Sequence, residues 1–169
     1  MVTSGVPDDS ERRIREALGS GTDTAGFAAA LRVVQEAFAA ELGTLHRLGA
    51  DDHLHLVAAS PGIPAPVLAA SRRIPLGKGI AGAAAKTAQP VTLCNLQTDT
   101  SGVAQPGARA TGAGGALCVP IVDGDRVVGT LGVGWKRERA ISADDSARLL
   151  AAGRVLAPAL RRRDRPGSP

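Results

Sequence analysis

Aromatic residues are almost missing from this 169-residue chain: Phe27, Phe38 and Trp135 are the whole set, and there is no tyrosine. The core must therefore be built from Ala, Val, Leu and Ile. Partners held by stacking are excluded as well, because single-stranded nucleic acids and quaternary-ammonium groups need several aromatic faces. Long hydrophobic runs are missing too. No uninterrupted apolar stretch approaches the roughly 18 residues of a membrane span. The opening Met1-Val-Thr-Ser-Gly-Val-Pro-Asp-Asp9 has no basic region followed by an apolar one. A cytoplasmic protein without a membrane partner is expected. Two cysteines make no disulfide scaffold, in keeping with a reducing compartment.

Net charge is also small outside the C-terminus. The net formal charge is +4, and Arg161, Arg162, Arg163 and Arg165 supply much of it, ahead of Pro166-Gly-Ser-Pro169. Without that tail the body is close to neutral. Nucleic-acid binding needs a basic stripe on the folded part, so no nucleic-acid partner is expected. What is present is ordinary for a globular domain: 44% hydrophobic and 21% charged residues, in a length that suits one domain.

Asp8 to Leu18 reads as a short polar helix ended by Gly19-Ser20-Gly21. After a Thr22-Asp23-Thr24 cap, Phe27, Leu31, Val34, Phe38 and Leu42 draw one apolar stripe down a second helix. From Gly43 the period changes to two. Thr44 to Leu48, a turn at Gly49–Asp52, and His53-Leu54-His55-Leu56-Val57 predict a hairpin with Leu54 and Leu56 inward. Prolines 61, 64 and 66 make the next stretch irregular or a short helix start. Gly77-Lys-Gly-Ile-Ala-Gly82 leads into a small helix to Ala88, and Val91–Cys94 is a short strand. Leu96 to Gly115 has no sustained periodicity, and loops of that length are usually functional. Ala116–Val122 and Arg126–Val133 are apolar strands joined through Asp123-Gly124. Ser142 and Asp145 form a capping box for a closing helix that Pro158 bends or ends.

This order resembles the GAF domain. Ile74-Pro-Leu-Gly-Lys-Gly-Ile-Ala-Gly82 resembles the family's glycine turn, Gln89-Pro-Val91 the start of its third strand, and Leu117-Cys-Val-Pro-Ile121 its fourth. Val127-Val-Gly-Thr-Leu131 and Ile141-Ser-Ala-Asp-Asp145 resemble its last strand and final helix start. The resemblance implies an α/β (α+β) fold. A central antiparallel sheet of five to six strands carries the terminal helices on one face and a loop-covered pocket on the other. It divides the chain into an N-terminal segment (1–23), the domain (24–160) and a basic disordered tail (161–169). It also implies a sensor or regulatory unit that pairs as a homodimer through its helices. The Asn-Lys-Phe-Asp-Glu signature of cyclic-nucleotide binders and a bilin-attaching cysteine beside a histidine are both absent.

By the family layout, Leu93, Asn95, Leu117, Val119 and Val133 would wall the pocket and residues 98 to 109 would close it. Thr98, Asp99, Thr100 and Arg109 join Asn95 as polar groups for orienting a ligand, and Trp135 stands as a rim anchor or a core cap. Cys94 and Cys118 lie on strands that the layout makes neighbours, so they are candidates for a redox pair. Buried packing is the other reading of both. The fold also hosts the free methionine-R-sulfoxide reductases. Those resemble Gly-Val-Cys-Gly at the glycine turn, where this chain has Gly79-Ile-Ala-Gly82, and they place a reactive cysteine in the loop, where this chain has none.

Other constellations favour a structural meaning. Gly77, Gly79 and Gly82 fit G-x-G-x-x-G but follow no hydrophobic strand, and the next strand ends in Asn95 rather than an acid. His46 and His55 would face each other across the hairpin, yet beyond His53 no third metal ligand is evident, and no metal is expected. No nucleophile elbow or phosphate loop occurs. The reading is a non-enzymatic sensor for an unknown small molecule, its cofactor unknown, that acts on a signalling partner protein because 169 residues leave no room for an output domain, or that is a fragment of something longer. A redox enzyme and a ligand-free dimerisation module are the alternatives.

Overall fold

The computed structural model describes residues 9–19, 23–94 and 112–163. Helix α1 (Asp9–Leu18) buries Ile14 and Leu18. Helix α2 (Thr24–Phe38) starts where the Asp23 carboxylate accepts the Gly26 N–H at 2.8 Å, and stops where Ala39 turns left-handed at φ 49°. That stop corrects one expectation: Leu42, placed on the α2 stripe by its spacing, opens the first strand. Spacing alone cannot see an αL cap formed by alanine.

Strand β1 (Leu42–Leu48) turns back into β2 (His53–Ala59). Helix α3 (Ala65–Ser71) begins with Pro66 in its first turn, where a missing N–H costs nothing. Strand β3 (Arg73–Pro75), helix α4 (Gly79–Thr87) and strand β4 (Val91–Leu93) follow. The residue pattern does not predict β3, since three residues around a proline carry no period. Strands β5 (Gly115–Asp123) and β6 (Arg126–Trp135) are joined by Gly124 and Asp125. The last helix, α5 (Ala143–Arg163), has the expected reciprocal cap: Asp145 N–H donates to Ser142 Oγ at 3.0 Å and Ser142 N–H to Asp145 Oδ2 at 2.9 Å. Pro158 lies inside α5 and does not end it. Helix α5 runs three residues past the boundary drawn at 160. Arg161 pairs with Asp123 at 3.0 Å, and the Arg163 guanidinium lies over the Phe27 ring.

The six strands form one antiparallel sheet in the order β3-β2-β1-β6-β5-β4. On one face α1, α2 and α5 bury the main core against Leu45, Leu117, Val119, Ile121, Leu131, Val133 and Trp135. On the other, Leu42, Leu93 and Ala113 form a small apolar cluster with Ile63 and Ile80. The fold is the mixed helix and antiparallel-sheet architecture that the resemblance implies.

A candidate ligand pocket under the sheet

The floor of the second face is set by the strand ladder. Leu42, Thr44 and His46 of β1 lie opposite Gly134, Gly132 and Thr130 of β6, which lie opposite Ala116, Cys118 and Pro120 of β5. Because side chains alternate, β6 sends Leu131, Val133 and Trp135 to the helices and presents Thr130 and two glycines here. The glycines leave the floor hollow: a Cβ on Gly132 would sit 3.1 Å from Thr44 Oγ1 and 3.7 Å from Cys118 Sγ. Above this hollow, Ile63, Val67, Ala70 and Ser71, the β3 backbone and the first turn of α4 complete a mostly apolar cavity of about 440 Å³. That volume falls within the range of about 300–1,000 Å³ usual for small-molecule sites.

The glycine turn needs its residues for close approach. At Gly82 a Cβ would lie 2.7 Å from the Pro75 carbonyl, while the Gly77 N–H donates to Gly82 O at 2.8 Å and the Lys78 N–H to Pro75 O at 3.1 Å. These amides serve the turn itself rather than a pyrophosphate. Lys78 is exposed on the cavity wall.

His46 is the buried polar group of the wall, 2% exposed, with Nε2 at 2.8 Å from the Ser71 carbonyl at the end of α3. Burial pushes its pKa down from 6.5 to about 4, and the Ser71 bond offsets only part of that. Its cross-strand position is opposite Leu56, whereas His55 lies opposite Arg47. His55 instead turns to Asp51, 2.9 Å away, which also receives Arg73 at 3.3 Å. The His55 hydrogen bond, helped by those from the His53 backbone and Arg73, holds the Asp51 carboxyl well below the usual range. Among the described residues no cluster of three His, Cys, Asp or Glu side chains is arranged to hold a metal ion.

Cys118 is in the cavity wall and 4% exposed, and burial pushes its thiol up to about 12. The Thr130 hydroxyl offsets a little of this without reaching hydrogen-bond geometry. Both cysteines are free, and Cys94 is exposed. Val91 lies opposite Cys118 and Leu93 opposite Ala116. Cys94 is thus three ladder steps from Cys118, about 10 Å at strand spacing, beyond the Cα separation of at most about 7 Å that a disulfide bridges.

The other site residues fall in three groups. Leu93 is in the cluster on the pocket side, and Leu117 and Val133 border the cavity while packing into the helix-side core. Val119 and Trp135 lie wholly on the helix side, because odd-numbered positions of β5 and β6 face the helices; the Trp135 Nε1–H donates to Phe38 O at 2.9 Å. Asn95, Thr98, Asp99, Thr100 and Arg109 lie outside the described residues. The sequence reading did not place Thr44, His46, Ser71, Gly132 or Gly134 in the pocket, although it singled out His46 on the hairpin. The signal was available in Thr130-Leu-Gly-Val-Gly-Trp135, where small or polar and large apolar residues alternate.

No curated protein matches the chain in sequence. Among solved structures it is similar to the GAF domain of a phosphoenolpyruvate-protein phosphotransferase from Acinetobacter, at 19% identity over 95% of each chain with a TM-score of 0.76. It is also similar to the free methionine-R-sulfoxide reductase from Neisseria meningitidis in complex with its substrate, at 19% identity, covering 90% of this chain and 86% of that one, TM-score 0.72. The type II free methionine-R-sulfoxide reductase from Thermoplasma acidophilum follows at 17%, covering 91% and 96%, TM-score 0.65. These identities establish a shared fold. The model of the GAF domain matches residues 27–161; with that match spanning most of the chain, the protein belongs to the GAF domain family.

Proposed function

We propose that this protein is a non-enzymatic sensor domain that binds a small molecule in the cavity under its sheet. Membership in the GAF family supports a sensor or regulatory role in general, and the observation that carries the finer reading is the apolar cavity of about 440 Å³ with Thr44, His46 and Cys118 in its wall. Thiol catalysis at Cys118 is disfavoured by the same wall. A thiol pushed up to about 12 supplies almost no thiolate near neutrality, and the thiolate is the nucleophile. The domain acts in the cytoplasm as a homodimer through its helical layer and passes ligand occupancy to a signalling partner.

The test is native mass spectrometry of freshly purified protein beside Gly132→Val, whose branched side chain would project onto the cavity floor. The expected result is a bound small molecule on the parent protein and none on the variant, with unchanged far-UV circular dichroism. Equal occupancy in both would remove the cavity from the account. Reduction of free methionine-R-sulfoxide with a thiol reductant would overturn the non-enzymatic reading.

A further inference from the structure

The cavity has an inner and an outer end, and they differ in charge. The exposed residues of its described wall are Ala70, Arg73, Pro75 and Lys78, which all come from the stretch between the end of α3 and the turn before α4. That stretch is the mouth. Leu42, Cys118 and Gly134, by contrast, are buried and belong to β1, β5 and β6. Along β6 the inner end is a trough: a Cβ on Gly134 would lie 3.4 Å from the Leu42 Cβ and 3.7 Å from the Ala113 Cβ. The charged side chains of the described wall, Arg73 and Lys78, are cations at the mouth. Arg73 is held at 3.3 Å by Asp51, a carboxylate that also bonds His55 at 2.9 Å. Lys78 makes no ion pair among the described residues. Lys86 brings a further positive charge to the same turn, since a Cβ on Gly77 would sit 3.5 Å from its Nζ.

We propose that the cavity takes a small amphipathic carboxylate, with its hydrocarbon tail along the trough over Gly132 and Gly134 and its carboxylate at the mouth, where Lys78 pairs with it. The proposal rests on the ligand-binding reading above and names the chemical class and the orientation of the ligand. Clefts with charge of one sign concentrate molecules of the other, and one unengaged ammonium balances one negative charge. The orientation follows from solvation. At the mouth the carboxylate keeps part of its water. Turned inward, it would be stripped of water against Leu42 and Ala113, and burying an unpaired charge is far more costly than leaving it at a surface. The tail gains in the opposite sense, because each methylene moved from water into an apolar cavity tightens binding about fourfold.

The experiment is calorimetric titration of the full chain, at low ionic strength, with three probes that share one tail: octanoate, 1-octanol and octylammonium. Octanoate is expected to bind about three- to fivefold more tightly than 1-octanol, the range of an exposed ion pair. Against octylammonium the preference is expected to reach about tenfold, since repulsion there replaces attraction. Lys78 is exposed and stands before α4 with extended backbone and no side-chain capping bond, so Lys78→Glu tests the charge without breaking a contact of the fold. It is expected to lower the ratio of octanoate to octylammonium affinity at least tenfold, while 1-octanol changes less than twofold. Equal or weaker binding of octanoate by the unmodified protein, or a ratio that Lys78→Glu leaves in place, overturns the proposal and leaves the cavity a ligand site. Absence of binding by all three, or binding that persists in Gly132→Val, overturns the ligand-binding reading together with it.

Discussion

At the scale of single residues, His46 carries the largest consequence. Its folded pKa, pushed down to about 4 from 6.5, means that the unfolded chain binds the extra proton first. The associated stability is fully present above pH 6.5 and is lost as pH falls toward 4. A tenfold difference in proton affinity between the folded and unfolded chain is worth about 1.4 kcal/mol, so the loss is about 3 kcal/mol. Urea denaturation from pH 7 to pH 4 should show this slope in the parent protein and a shallower one in His46→Gln; parallel curves would mean that the ring titrates normally. The cysteines give a second residue-scale outcome. Cys94 is exposed and Cys118 buried with its thiol raised. Iodoacetamide at pH 8 should add one group to the native protein and two in guanidinium, and reductant should leave the mass unchanged.

At the scale of elements, β6 does two jobs through alternate residues. Gly129 permits β1 to approach: a Cβ there would lie 2.1 Å from the His46 carbonyl oxygen, a backbone atom that has nowhere to go. Gly129→Ala should therefore cost about 2–4 kcal/mol. Gly132→Ala meets only side chains at 3.1 Å and beyond, and should cost less while narrowing the cavity. Thermal melts of the two variants check the order. Ser142→Ala breaks the reciprocal cap of α5 and should cost about 1 kcal/mol, read as a drop in urea midpoint. Elements with a long period were legible from residues alone. The stripe Phe27, Leu31, Val34, Phe38 reads as α2, and the Ser142–Asp145 box opens α5 as spacing required. Elements held by tertiary partners were not. β3 exists because the His53–His55 backbone is there to pair with it, and Ala39 closes α2 by a conformation that alanine rarely prefers. The cavity was legible as a place and not as a lining. Its location came with the fold, but its side chains depend on strand parity, and choosing Val119 over Cys118 lands on the other face of the sheet.

At the scale of the whole molecule, two faces of one sheet are divided between cohesion and reception. Trp135 belongs to the first. It is 1% exposed, bonded to the end of α2 and covered by the Arg139 guanidinium at 4.3 Å. Its fluorescence should follow far-UV circular dichroism through a single urea transition, as expected of one cooperative core. A separate early step in the dichroism would show that the pocket side opens by itself. Ligands entering the cavity should leave the emission maximum nearly unchanged, because the indole looks away from them.

The strands at the two borders of the sheet, β3 and β4, have three residues each. Long open borders invite the backbone of a neighbour to continue the ladder, and brevity is one of the ways proteins prevent it. Among the described residues, a second molecule arriving at either border finds three residues of strand with which to pair, too few to hold a continuous intermolecular sheet. The described sheet is thus blunted at both borders against fibrous growth, and at high concentration self-association should saturate at a closed species instead of propagating.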